Sequence, residues 1–253
     1  MSYGSERTMD GSYTALLTGL IFAAALLYSS VGHAAASGYP AAMALSSVPP
    51  DTMRPVALVL NILVATIATV RFTRAGLFSA RLLWPFAVSS VPTAFIGGSL
   101  HLRGHWFQWL VALTLAVGGV RLLAPVPSTA HAPTTPPVAL ALCGGAVIGL
   151  LSGLTGTGGG IYLSPLLLFA GWAETRETGG VSAAFILVNS LAGLAGNLAS
   201  VGSLPVEVVW WAPAAVVGGF IGSELGARRV ATETFRQLLA VVLLVAALKL
   251  AVT

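Results

Sequence analysis

Residues 149–168 read GLLSGLTGTGGGIYLSPLLL, a charge-free run in which Gly156, Gly158, Gly159 and Gly160 interrupt an otherwise apolar segment. A glycine cluster ordinarily marks a turn, and turns lie at the surface because their N–H and C=O groups need partners. The flanking residues, however, suit lipid rather than water. What such a turn is doing there depends on the rest of the chain.

Of the 253 residues, 56% are hydrophobic and 8% are charged, and the mean hydropathy is +0.89. Soluble domains carry about 25% charged residues, so this chain lacks the polar surface to enclose a water-soluble core. Its charges fall in short stretches separated by apolar intervals that match the ~20 residues a helix needs to cross a bilayer. The composition predicts an all-α polytopic membrane protein. The net charge of +4 comes from arginines placed singly or in pairs between apolar spans, as in cytoplasmic loops. No basic stripe interleaved with aromatics exists to follow phosphates, so nucleic acid is not an expected partner. The single cysteine, Cys143, excludes an internal disulfide or a two-cysteine metal or redox site, and it reads as a packing residue. Residues 1–12 form a polar tail without the basic start and cleavage site of a secretory signal, so the first span, from about Tyr13, is expected to be retained as a helix.

Apolar segments, about 8–10 in all, run near 13–32, 35–48, 55–70, 82–100 and 106–124, then near 138–154, 158–172, 180–200, 207–226 and 235–252. The Pro-rich linker 125–137 divides them into a first transmembrane repeat, 13–124, and a second, 138–253. The second segment of each half is short, about 13–15 residues or roughly 20 Å, which suggests broken or re-entrant helices near 32–38 and 155–161. Asn61, Pro85 and Phe107 have the same spacing as Asn189, Pro213 and Phe235, and FIGGSL at 95–100 echoes FIGSEL at 220–225. In the first half the loop after the third segment carries Arg71, Arg74 and Arg81, and the loop after the fourth only Arg103. In the second half the loop after the fourth carries Arg228, Arg229 and Arg236. Equivalent loops then lie on opposite sides of the membrane, which makes the repeats inverted, as in many secondary transporters.

TGTGGG does not fit the soluble glycine motifs. A dinucleotide fingerprint counted from Gly156 would need glycine where Ile161 stands, a P-loop would need a Gly-Lys-Ser/Thr ending, and a nucleophile elbow would need serine where Thr157 stands. Within a membrane, non-helical backbone survives only where protein or a wet cavity covers it. Glycines permit both the break and close approach of the chain to a ligand, and the N–H groups opening the next helix suit an anion. Thr155, Thr157 and Ser164 add hydroxyls. The plainer reading is that the small residues let helices pack closely.

The stretch GLTGTGGGIYLSPLLL resembles the signature of the TauE/SafE family of sulfite and organosulfonate exporters. VGHAAASGYPAAMALSSVPPDTMRPVALVLNILVATIATVRFTRAGLF resembles that family's amino-terminal repeat, including MRP, the asparagine and the RAG turn. The likeness covers about residues 13–252. One departure is that Ala34, Ala35 and Ala36 follow Gly32 and His33 where the family often has a glycine run. Alanine favours helix over glycine by about 1 kcal/mol, so the first break is expected to be milder.

The resemblance implies a permease moving a small anion such as sulfite or sulfoacetate across the inner membrane, by export through alternating access, without enzymatic activity, cofactor or metal. The expected partners are that anionic solute and the lipid bilayer, with a homo-oligomer left open. The substrate-binding candidates are Gly156, Thr157, Gly158, Gly159 and Gly160 at the second break, Gly32, His33 and Ser37 at the first, and Asn61 and Asn189 in equivalent apolar helices. Arg54 and Glu224 are gating or coupling candidates. The plainer reading of Arg54 is snorkelling to headgroups, and that of Glu224 is an i,i+4 pair with Arg228. Lys249 reads as snorkelling, and Trp84, Trp106, Trp109, Trp210 and Trp211 read as an interfacial belt. The rival reading is a non-transporting accessory or assembly factor that grips partner helices with glycine-rich faces.

Overall fold

A computed structural model describes residues 11–30, 37–100, 105–123, 133–201, 205–228 and 233–252. Among them every regular element is an α-helix. The first five are α1 (Gly11–Ser30), α2 (Gly38–Leu45), α3 (Pro50–Arg74), α4 (Ala80–Ser99) and α5 (His105–Leu123). The last five are α6 (Val138–Thr155), α7 (Gly160–Phe169), α8 (Thr175–Val201), α9 (Glu207–Arg228) and α10 (Glu233–Val252). Each apolar segment expected from the sequence forms a helix, and the second of each five is short, with 8 residues in α2 and 10 in α7.

Six of the described helices, α3, α4, α5, α6, α8 and α9, are long and apolar enough to cross a membrane. Their outward faces carry large apolar side chains, including Trp84, Trp106, Trp109, Trp210 and Phe220. Such a surface is costly in water and is satisfied by lipid. Trp211 departs from the expected belt: it turns inward and is buried. Cys143, expected to pack, is exposed.

Packing interlocks the two sets of five. The most extensive helix pairings, α4 with α6 and α8, α1 and α3 with α9, α5 with α10, and α3 with α8, all join a helix of α1–α5 to one of α6–α10. Two of these seams use the same device. Gly145, Gly149 and Gly153 of α6 press on the carbonyls of Phe86, Ser90 and Ala94 of α4, and Gly218, Gly222 and Gly226 of α9 press on those of Phe22, Leu26 and Ser30 of α1. A spacing of four residues keeps each trio on one helix face. Lipid tails supply no hydrophobic drive between helices, so close backbone packing at small residues must hold them together.

Charged groups also cross between the sets. Arg71 of α3 forms an ion pair with Glu224 of α9, and its guanidinium lies 4.0 Å from the Phe220 ring centroid. The ion pair joins Glu224 of α9 to α3, a contact that spacing along one helix does not show; the side chain of Arg228, the partner expected from the sequence, lies outside the described residues. Lys249 of α10, expected to snorkel, donates from Nζ to the carbonyl of Leu45 at 2.6 Å and to Ser47 Oγ at 2.9 Å. It thereby serves a carbonyl at the end of α2, where the helix leaves acceptors open.

The seams make a stability prediction. Gly149→Ala and Gly222→Ala, whose new Cβ would fall on the Ser90 and Leu26 carbonyls, should each destabilise by about 1–3 kcal/mol through overpacking. Gly19→Ala, with nothing within 4 Å of the new atom, should be neutral or stabilising by up to ~1 kcal/mol. Thermal unfolding in detergent separates the two classes.

Candidate functional site

The glycine stretch is a genuine interruption. Helix α6 ends at Thr155, Gly156 caps it in the left-handed region at φ 77°, and Gly158 and Gly159 follow at φ 68° and 81° before α7 begins at Gly160. L residues rarely adopt such angles, at a cost of about 1–2 kcal/mol each, so three near-consecutive left-handed positions explain why glycine is needed. The amide of Gly156 donates to Ser152 O at 2.8 Å, and the amides of Tyr162 and Leu163 donate to Gly159 O at 3.1 Å. Among the described residues, the N–H groups of Gly158 and Gly159 meet no acceptor. Residues 155–160 are all buried, so these donors lie inside the protein.

Surrounding helices close on the break. From α3, Asn61 Nδ2 donates to the Gly156 carbonyl at 3.0 Å, which supplies a partner to an acceptor that the chain reversal has released. Two turns earlier on the same helix, the backbone and Cγ of Arg54 pack on Gly156. From α8, Ile186 and Ser190 pack on Gly158, and Phe185 packs on Gly159; from α6, Ile148 and Ser152 pack on Gly159. The hydroxyls of Thr155 and Thr157 lie 2.8 Å apart, and Ser164 of α7 is 2.7 Å from Ser182 of α8. The side-chain oxygens of Asn61, Asn189, Ser152 and Ser190 are buried without partners.

The gating and coupling candidates fall in different places. Arg54 does not reach for headgroups; it is buried. Its Nη1 donates to the Leu100 carbonyl at 2.7 Å, at the end of α4. With the Asn197 amide turned to present its oxygen, Oδ1 accepts from Nη2 at 2.7 Å and Nε at 3.2 Å. A helix C-terminus carries partial negative charge, so the guanidinium ties α3, α4 and α8 together. Glu224 lies apart, in its pair with Arg71.

Of the sequence candidates, Gly156, Thr157, Gly158, Gly159, Gly160, Asn61 and Arg54 therefore share one neighbourhood. Asn189 lies on the same stretch of α8 as Phe185, Ile186 and Ser190, and its Nδ2 donates to Phe185 O at 2.9 Å. Ser37 is buried next to the start of α2, with its hydroxyl unpartnered, and it makes no recorded contact with the 155–160 break. Gly32 and His33 lie outside the described residues, as does most of the first expected break. The sequence reading missed Ser152, Ser182, Ser190 and Asn197. For the three on α8 the signal was a helical stripe of small or polar residues, Ser182, Asn189, Ser190, Gly193 and Asn197, all buried.

Two substitutions test this geometry. Asn61→Ala should leave the Gly156 carbonyl unpaired and destabilise by about 1–3 kcal/mol. Gly159→Ala should cost at least as much, because its φ of 81° is unfavourable and its Cβ would lie 2.9 Å from both Ile148 and Phe185. Thermal unfolding gives the magnitudes, and hydrogen exchange should show the increase in exchange centred on residues 156–163.

Comparison with known proteins agrees with this architecture. The family described as sulfite exporter TauE/SafE matches residues 17–250. The "Probable membrane transporter protein y4hK" of Sinorhizobium fredii (strain NBRC 101917 / NGR234) is 41% identical over 233 residues, covering 90% of this chain and 94% of that protein. No solved structure matches.

Proposed function

Because the chain belongs to the sulfite exporter TauE/SafE family and is a multi-pass membrane transporter, we propose that its solute is a small sulfur oxyanion or sulfonate, such as sulfite or sulfoacetate. Export across a bacterial inner membrane is the direction that the family description favours. The observation that carries the anion reading is the break at 156–159. Buried main-chain donors at Gly158 and Gly159 have no acceptor among the described residues, and they precede the amino terminus of α7, where the helix dipole favours negative charge. On this reading Gly156, Thr157 and Gly160 would shape the solute site, and Asn61 and Asn189 would flank it. Gly32, His33 and Ser37 would form the corresponding part of the first half.

Alternating access follows from reading 13–124 and 138–253 as inverted repeats joined by the linker 125–137. A cross-half correspondence supports this reading. The offset that relates Asn61 to Asn189 also relates Arg121 of α5 to Lys249 of α10. Lys249 reaches the last residue of α2, while Arg121 lies 4.3 Å from the ring centroid of Phe169, the last residue of α7. Each short helix is thus met at its end by a cation from the other half. Arg54 and the Arg71–Glu224 pair join helices of opposite halves, and on this reading they would gate or couple their rocking. The accessory-factor reading has less to build on, since the two glycine trios are occupied by the chain's own helices.

The test is uptake or counterflow of radiolabelled sulfite and a panel of other labelled anions in proteoliposomes. Wild type should transport at least one sulfur anion, with Gly159→Leu and Asn189→Leu at least about tenfold slower. Equal transport by folded variants overturns the site. A folded wild type that moves none of the panel overturns the anion assignment.

A further inference from the structure

Helix α8 carries a line of residues spaced by four, Thr178, Ser182, Ile186 and Ser190, each one turn from the next. Contacts show that this side of the helix lies against the glycine break. Ser190 Oγ and the Ile186 side chain meet Gly158, and Ile186 also meets Gly160. Ser182 Oγ lies 2.7 Å from Ser164 Oγ of α7. Further along, Asn197, its amide turned as described above, accepts from the guanidinium of Arg54. All of these α8 side chains are buried, and the hydroxyls of Thr178 and Ser190 have no partner among the described residues. Ile186 is the apolar interruption in an otherwise polar line.

The line runs across the membrane. Gly180 packs on Phe72 and Leu77 at the end of α3 that carries Arg71 and Arg74, whereas Gly193 packs on Leu58 in the first half of that helix. Thr178 and Ser182 therefore lie toward the arginine-bearing end and Ser190 toward the opposite one. A buried hydroxyl without a partner is costly inside a membrane protein unless water or a solute reaches it, and here such groups lie on both sides of Ile186. The isoleucine is seated as close to the break as main chain allows, since a Cβ at Gly158 or Gly160 would overlap it. An apolar constriction between polar stretches excludes ions by excluding their water. A β-branched residue in a helix is held near one χ1 rotamer, so such a constriction opens by movement of α8 against the backbone of 158–160 rather than by a turn of the side chain.

Building on the permease reading above, we propose that Ile186 is the hydrophobic seal of the solute route. With no solute moving, it separates the Thr178–Ser182 stretch from the Ser190–Asn197 stretch, and Gly158 and Gly160 let it close directly on main chain. The seal depends on apolar surface and not on shape alone. A hydroxyl at position 186 would make the polar line continuous from 178 to 190 and admit hydrated ions.

The experiment measures efflux of trapped radiolabelled chloride from proteoliposomes of the full chain, with no sulfur anion present. Ile186→Val and Ile186→Thr shorten the side chain alike and keep its branching, so they differ mainly in polarity. Wild type and Ile186→Val should release chloride within about threefold of one another, while folded Ile186→Thr leaks at least about tenfold faster. A residue that only packs would instead lower the melting temperature in both variants and open no leak. No leak in folded Ile186→Thr, or an equal leak in Ile186→Val, overturns this inference and leaves the anion reading to the counterflow experiment above. Should Ile186→Thr fail to fold, cysteine labelling tests the native seal. In a Cys143→Ala background, Thr178→Cys and Ser190→Cys should each react with a membrane-impermeant thiol reagent at least about tenfold faster from one face than from the other. The two faces should be opposite, with Thr178→Cys reacting from the arginine-bearing side. Reaction of both from the same face, equally from both faces, or of neither overturns the seal.

Discussion

A main-chain N–H or C=O inside a bilayer must find a partner within the protein, because lipid offers none. Most of this chain meets that requirement with continuous helix. At 156–159 it does not, and the surroundings show how the exception is contained. One released carbonyl is taken by Asn61, the threonine hydroxyls bond each other, and side chains from α3, α6 and α8 cover the interruption. What remains is a pair of amides with no acceptor among the described residues, at the point where a helix dipole begins.

Holding such a break requires helices from both ends of the chain. Asn61 and Arg54 come from α3, whereas the interrupted backbone and its other neighbours belong to α6, α7 and α8. The interlocked packing supplies this, and the glycine trios on α6 and α9 bring backbones close enough for it. The same arrangement suits movement. Contacts between the two sets run along extended seams between rigid helices, which can shift as bodies more readily than a single fused core.

For the anion proposed above, neutral donors would suit a solute that must be released. A permanent ion pair at the break would hold such a solute tightly and slow its exit, whereas main-chain dipoles and hydroxyls would give weaker, directional binding. The guanidinium of Arg54 is close by but is engaged with Leu100 and Asn197, so its charge acts on the region without a direct grip.

The membrane class, the order of the apolar segments and the break itself were legible in the sequence because each depends on local chemistry: apolar run length, charge placement and the left-handed angles that glycine alone takes easily. Asn61, Asn189 and the small polar stripe of α8 could be marked as unusual at that depth, but their partners could not be read. That Asn61 serves Gly156, that Arg54 turns to α4 and α8 rather than to lipid headgroups, and that Glu224 meets Arg71 all depend on how distant helices cross. Spacing along one helix constrains only its own neighbours three and four residues away. The fold alone decided which carbonyl, amide or charge from the other half would occupy the remaining space.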